Sequence, residues 1–535
     1  MARTLLFQKL IYALQQARRE NLKAEGKPLP LTKEQYKWTR RRFIRYAALA
    51  GGAAVATASL SPAQSADNKS RQPIIAIVGG GIAGLNAAYQ LKKVGLKATV
   101  YEASSRLGGR IQSFTGVVGA GLVTDLGGSL INFEHEDILA LVQDFGLQLF
   151  DRNRDAQRFP FPRVGYFFAG IPSEAEVATL LRSLAQQISQ DADLIDLDFE
   201  RFAPEFDRIS VAQYLDNHED KIPESYIREL IENSIRTEYG VEPKESSSLQ
   251  LLFNLPTVNG QKVEVLGNSD EAFVVQEGSG KLIEQMAATL GDRIHTLMRL
   301  TKIQTRSRGF CLTFNNNYQV EADYVIIAIP FQVLRNVDLQ VKLKPKFRRF
   351  INELDLGLNE KLIAGFAKKV WQQETGFVTE VWTDLGFSQA WDETQRQGDR
   401  ADGALTFYCG ANQVKAIKSK SPQSVGKEFV GKLDTVIPGA KNAANNHFLL
   451  TQWYKDPFVR GGYTNFKPGQ LTEFGEFLYI ESDDPNERQD VNVGNLVFAG
   501  EHLSDEFYGY MNGAAQTGRL AADVVVRKIG RKNKV

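Results

Sequence analysis

The stretch 74–110 limits what this chain can fold into more than any other. An apolar run, Ile74-Ile75-Ala76-Ile77-Val78, stops at Gly79-Gly80-Gly81-Ile82-Ala83-Gly84. An apolar helical face follows at Ile82, Leu85, Ala88, Tyr89 and Leu91, and a short second run ends at Tyr101-Glu102. A β-branched run bounded by glycines reads as a buried parallel strand, so the segment is a βαβ unit with Gly-x-Gly-x-x-Gly at its first turn. Gly79 permits the tight strand-to-helix turn, Gly81 lets backbone approach a pyrophosphate, and Gly84 lets the helix lie close on the strand. With Ala83 they form the expected phosphate site, where a helix N-terminus offers unpaired N–H groups and a partial positive charge. Glu102 stands where an acid bonds a ribose hydroxyl. A second glycine pair, in Arg106-Leu107-Gly108-Gly109-Arg110, favours FAD over NAD as the dinucleotide.

At 535 residues the chain exceeds the size at which one core keeps growing, so at least two domains are expected. Its 64 basic and 63 acidic residues nearly cancel, which argues against nucleic acid as a partner. Cys311 and Cys409 are far apart, and the five histidines are scattered, so no metal site is expected. Residues 1–66 read as a twin-arginine signal region. Thr39-Arg40-Arg41-Arg42-Phe43-Ile44-Arg45 precedes a weakly apolar run, 46–60, that is shorter than the roughly 20 residues of a spanning helix. Ala56-Thr57-Ala58 and Ala63-Gln64-Ser65 offer cleavage sites. The expected destination is the periplasm, a thylakoid lumen or a membrane surface, by a route that carries folded proteins. The competing reading is a disordered basic tail. Ahead of the signal, Leu5, Leu6, Leu10, Ile11 and Leu14 suit an amphipathic helix, either a surface anchor or a leader from a wrongly assigned start.

The remainder divides by pattern. Residues 73–150 form the first part of an FAD-binding domain and include Val123-Thr124-Asp125-Leu126-Gly127-Gly128-Ser129. Residues 151–263 turn polar with a helical period, as at 174–188 and 223–235, and read as a largely helical substrate domain. Residues 264–350 return to the FAD-binding domain. Gly278-Ser279-Gly280-Lys281-Leu282 opens a helix there, Asn315-Asn316-Asn317 turns a hairpin, and a buried strand, 324–329, stops at Pro330. Residues 351–456 supply strands such as 362–366 and 404–408 for a sheet under the substrate, and 457–528 close the cofactor domain. The expected fold class is α/β, a Rossmann-type FAD-binding domain with an inserted α+β substrate-binding domain.

In this order the motifs resemble the flavin-containing amine oxidase family, which includes monoamine, polyamine and L-amino acid oxidases. The resemblance covers roughly residues 73–528 and rests on the dinucleotide unit, 106–110, 125–129, 278–282, Ala328-Ile329-Pro330, 357–361, Trp453 and 498–515. It implies that Glu102 binds the FAD ribose, that Gly109 and Arg110 line the flavin side, and that Leu300 offers backbone atoms to the adenine. Gly500 and Glu501 would serve the ribityl or pyrophosphate region, and Met511 would turn its N–H toward the flavin pyrimidine. Lys361 matches the lysine that holds a water at flavin N5, against the alternative of an ordinary exposed strand lysine. Tyr463 and Tyr510 match the aromatic pair that flanks the substrate amine, with Trp453 in the same block. Such a pair excludes water and restricts the approach of the amine. The alternative is two core tyrosines beside glycines.

Two departures from the family pattern matter. Gly462 stands where some members attach flavin through a cysteine, so the FAD is expected to be non-covalent. Gly128-Ser129-Leu130 lacks the arginine that anchors a substrate carboxylate, although Arg152, Arg154, Arg158 or Arg163 could replace it. The resemblance therefore implies oxidative deamination of a small-molecule amine to an aldehyde, ammonia and hydrogen peroxide, with O2 or a quinone as acceptor. The rivals are an L-amino acid oxidase or dehydrogenase, including one for basic amino acids, and a flavin desaturase or isomerase of the same fold. From another class comes an exported FAD-binding protein without turnover. Membrane-surface association and a homodimer are left open.

Overall fold

The computed structural model describes residues 72–168, 174–252, 256–259, 262–265, 271–482 and 484–530. The expected signal region and leader lie outside the described residues.

The βαβ unit supplies two strands of a six-stranded sheet. Its strand order is Ile294–His295, Ala98–Tyr101, Ile75–Val78, Tyr324–Ile327, Leu496–Phe498, Asn492–Val493. Neighbours run parallel except for the last, antiparallel pair. Ile77, Val100, Val325, Ile326 and Val497 are all buried, as a parallel sheet covered on both faces requires. The helix Ile82–Lys93 leaves the first strand through the glycine turn. Against it lies the last helix, Met511–Lys528, with Asn86 Nδ2 donating to the Ala515 carbonyl at 2.7 Å. A Cβ on Gly518 would fall 2.3 Å from the Ala83 carbonyl oxygen, so only glycine permits this approach.

Between these sheet strands the chain runs out to a second body. Residues 151–263 are helical over Glu174–Leu197, Phe199–Asp207, Val211–Asn217 and Ser225–Tyr239. They also carry a strand, Val164–Phe167, which the largely helical expectation did not include. It pairs in parallel with Glu380–Thr383 and completes a second six-stranded sheet. That sheet runs Ala444–Leu450, Asn359–Phe366, Gly403–Gly410, Gln389–Asp392, Glu380–Thr383, Val164–Phe167.

Its strand Asn359–Phe366 is buried throughout, and its side chains alternate between two environments. Leu362, Ala364 and Phe366 join Phe407 and the helix Pro422–Leu433 in one core, whereas Ile363 joins Ala404 and Trp453 in a smaller one. Lys361 shares the Ile363 side by the same alternation. The register sets Lys361 opposite Tyr408 and Tyr408 opposite Gln389, so the three stand abreast on one face. Among the described residues no helix is long and apolar enough to cross a membrane, and no cluster of side chains could hold a metal ion.

Candidate active site

A cavity of about 1410 Å³, partly open to solvent, lies between the two sheets. Its wall is drawn from both ends and the middle of the chain: Gly79, Gly81 and Ala83, then Glu102, Gly109 and Arg110, and finally Lys361, Tyr463, Gly500, Glu501, Tyr510 and Met511. Three residues named from sequence stand off this wall. Gly84 packs the helix onto the turn, where a Cβ would meet the Gly79 carbonyl oxygen at 2.0 Å. Trp453 lies behind the wall, its ring 3.4 Å from where a Gly127 Cβ would be. Leu300 is buried at the start of a separate strand, paired with Phe314.

At one end the wall is mostly backbone. A Cβ built on Gly81 would meet nothing within 4 Å, so this glycine faces open cavity, whereas one on Gly79 would strike the Ala328 carbonyl oxygen at 2.5 Å. The N-terminal ends of two helices reach the cavity, at Ile82 and at Met511, and neither carries an acidic residue in its first turn nor a side-chain cap. The positive end at Ile82, beside Gly81, suits a pyrophosphate, whereas the one at Met511 follows Tyr510 and stands against Gly128. Glu102 is held in place by accepting from Gly80 N at 2.6 Å and Ser104 N at 2.7 Å. Burial raises its carboxyl above the ordinary range, against the pull of those N–H groups. At the other entry to this half, Glu501 accepts from Arg110 Nη1 and from Thr464 Oγ1, both at 2.9 Å, and from the Gly509 N–H.

The opposite end is aromatic. Lys361 is 5% exposed, and its Nζ donates to the carbonyls of Gly127 at 2.7 Å and Asp125 at 3.1 Å, with Ser129 Oγ at 3.4 Å. Burial holds the ammonium below its ordinary pKa, with Glu393 and Asp125 pulling the other way. Asp125 is also the hub of the surrounding loops. Its carboxylate accepts from Ser279 N, Ser113 Oγ and Arg396 Nη1, which fixes the carbonyls that Lys361 binds. Tyr463 meets Tyr408 hydroxyl to hydroxyl at 2.7 Å. Tyr510 packs its ring 4.9 Å from that of His135, a buried imidazole whose pKa burial lowers to about 3. Sequence reasoning missed Tyr408, Gln389, Trp391 and Glu271, all of which line the cavity. The first three are set by strand register, which no local pattern announces.

The family sequence model for flavin containing amine oxidoreductases matches residues 82–526. The chain belongs to this family. A flavin is therefore its cofactor class, and the open face at Gly81 with the two helix ends fits one. Among its relatives, a probable flavin-containing monoamine oxidase A of Dictyostelium discoideum is 25% identical over 474 residues, covering 86% of this chain and 98% of that protein. Human flavin-containing amine oxidase B is 25% identical over 476 residues, covering 85% and 86%. The fold is shared with solved amine oxidases. Cyclohexylamine oxidase from Brevibacterium oxydans superposes with a TM-score of 0.71 at 22% identity, over 86% of this chain and 100% of that one. Putrescine oxidase bound to putrescine gives 0.69 at 21%, over 85% and 99%. As a member of the family the chain is an oxidoreductase acting on amines.

Proposed function

We propose that this protein is an FAD-dependent oxidase of a primary amine that carries no carboxylate beside its nitrogen. One amine, one O2 and one water give an aldehyde, ammonia and hydrogen peroxide. The observation that carries this reading is the commitment of every arginine and lysine side chain on the wall. Among the described residues these are Arg106, Arg110 and Lys361. Arg106 donates to the Gly109 carbonyl at 2.7 Å, Arg110 pairs with Glu501 at 2.9 Å, and Lys361 serves backbone carbonyls. Arg152, Arg154, Arg158 and Arg163, the sequence candidates for a carboxylate anchor, do not line the cavity. Arg152 is buried instead among Glu271, Glu380, Glu393 and Asp392.

In this reading Gly81 and the helix end at Ile82 hold the FAD phosphates, Glu102 holds the ribose, and the helix end at Met511 meets the flavin pyrimidine. A bound flavin supplies removal of a hydride equivalent from the carbon beside the nitrogen. The protein's own work is to orient and dehydrate. Tyr463, fixed by Tyr408, and Tyr510, backed by His135, bracket the amine, and burial between aromatic faces favours its neutral form. The FAD is held without a covalent bond. Gly462 has no room for an attaching side chain, since even a Cβ would lie 2.7 Å from Asn359 Oδ1 and 2.9 Å from Asn359 Cβ. Acid precipitation should leave a yellow supernatant, and flavin in the pellet would refute this point.

The test of the reaction is peroxide release by purified protein, comparing L-amino acids with the amines left by their decarboxylation. Amines should be turned over faster in every pair. Preference for the amino acids would overturn the reading and promote the L-amino acid oxidase. We also propose export by the twin-arginine route, supported by Arg40 and Arg41 ahead of the weakly apolar run. Changing both to lysine should keep the protein in the cytoplasm, and unchanged export would remove the proposal.

A further inference from the structure

The strand Asn359–Phe366 carries a carboxyl group where its pattern calls for an apolar side chain. By alternation Glu360 falls on the face away from Lys361 and the cavity, with Leu362, Ala364 and Phe366, and the register sets it opposite Cys409 of the same apolar core. It is 2% exposed. A carboxyl group buried there costs stability unless its oxygens find donors, and both do. Oε2 accepts from Thr451 Oγ1 at 2.5 Å, and Oε1 accepts from Tyr454 N at 3.4 Å.

Both partners lead back to the site. Thr451 holds the backbone of Lys361 twice, its Oγ1 accepting from Lys361 N at 2.8 Å and its N donating to the Lys361 carbonyl at 2.9 Å. A hydroxyl has one proton to give. While Glu360 is ionised, that proton goes to Oε2 in a charge-assisted bond, roughly twice as strong as a neutral one. Once Glu360 is protonated the carboxyl can donate to Thr451 instead, and the hydroxyl is free to turn to the Lys361 carbonyl, 3.3 Å away. Tyr454 belongs to the turn Trp453–Lys455, from which the chain runs directly into Asp456, Phe458 and Val459 on the cavity wall.

The surroundings let this carboxyl change charge near neutrality. Burial pushes it up to about 7, against the pull of Thr451, the N–H groups of Tyr454 and Trp453, and the Lys455 ammonium. On the facing strand, burial pushes Tyr408 and Cys409 up as well, so both stay neutral. From the helix Pro422–Leu433 behind them, Lys432 and Glu428 act on the Cys409 thiol with opposite signs.

We propose that Glu360 is a positioning residue for Lys361, holding it through Thr451 and tying it to the wall segment 456–459 through Tyr454, so that the ionised carboxylate favours the reaction of reduced flavin with O2. This rests on the oxidase reading above. Glu360 does not line the cavity and acts only through its neighbours. The test uses flavin-loaded enzyme reduced photochemically and mixed with O2, so that no amine enters. In wild type the reoxidation rate should rise about tenfold across a midpoint near pH 7. Glu360→Gln and Thr451→Val should keep the low rate throughout, and Thr451→Ser should restore the rise. A rise that persists in Glu360→Gln would belong to another group and would overturn the proposal, as would a flat wild-type profile. Two readouts do not depend on turnover. In flavin-free wild type the infrared band of a protonated carboxyl should vanish through the same midpoint, be missing from Glu360→Gln, and persist to higher pH in Thr451→Val, which has lost a donor to the ionised form. In the loaded, oxidised protein the visible flavin absorbance should shift with that midpoint in wild type and not in Glu360→Gln. Should wild type fail to react with O2 at any pH, the oxidase reading falls, and the absorbance shift alone decides on Glu360: its presence keeps the positioning role and its absence ends it.

Discussion

Lys361 has three acceptors inside the protein, and this changes what its removal should do. In Lys361→Met the carbonyls of Asp125 and Gly127 lose a buried donor, at a cost on the order of 1–3 kcal/mol, so the melting temperature should drop by a few degrees. Flavin should stay bound, because the phosphate end of the cavity is untouched. Stopped-flow absorbance should show the reaction with O2 slowed far more than reduction by amine. Equal slowing of both halves would reduce the lysine to a structural prop. Tyr408→Phe removes the hydroxyl that fixes Tyr463 and should slow reduction instead, by about tenfold for a lost orienting bond of about 1.4 kcal/mol. An unaltered reduction rate would show that Tyr463 needs no such support. At this scale the sequence was informative where a residue sits inside a motif, as Lys361, Tyr463, Tyr510 and Glu102 do. It was silent on Tyr408 and Gln389, which reach the wall only because strands distant in sequence pair in one register. Trp453 sits inside a motif yet lies behind Gly127, because a motif records proximity to the site and not the direction of a side chain.

The first βαβ unit offers a test that separates two uses of glycine. Gly81 has a φ of −74° and open space where its Cβ would be, so Gly81→Ala should fold normally and lose flavin. Gly84→Ala would drive a methyl group to 2.0 Å from the Gly79 carbonyl oxygen and should fail to accumulate as folded protein. Far-ultraviolet circular dichroism and flavin absorbance distinguish the outcomes, and a yellow Gly81→Ala protein would remove the glycine turn from the phosphate site. Elements of this kind were legible because glycine spacing and β-branched runs carry their own geometry. The helix Ile82–Lys93 and the strands Ile75–Val78 and Ala98–Tyr101 lie where the pattern set them. The strand Val164–Phe167 was not legible, since four residues between Arg163 and Phe168 give no period, and its existence depends on Glu380–Thr383 being beside it. The buried strand expected over 324–329 ends at Ile327, where the backbone leaves the sheet to form the wall at Ala328, Ile329 and Pro330.

For the molecule as a whole, buried titratable groups set opposing slopes of stability against pH. Burial pushes the Glu360 carboxyl up to about 7 from 4.5, so between those values the folded protein keeps a proton that the unfolded chain has lost. Its contribution is present in acid and is lost as pH rises through this window, by something on the order of 3 kcal/mol. His135 and His502 act in the other direction. Burial lowers them from 6.5 to about 3 and about 4, so the unfolded chain takes up protons first and stability falls as pH drops below 6.5. Glu360→Gln should erase the first slope and leave the second, giving a higher melting temperature than wild type above pH 7. Calorimetric scans from pH 4.5 to 8 that run parallel for the two proteins would contradict this. The cavity wall, which begins at Gly79 and is finished only by Met511, carries a consequence of another kind. A ligand gripped by segments more than four hundred positions apart works as a clasp on the chain, tying its two ends across everything between them. Loading should raise the melting temperature with the logarithm of free flavin concentration, and colour should report on the completeness of the polypeptide: a chain ended anywhere short of Met511 has one jaw of the clasp missing and should remain colourless.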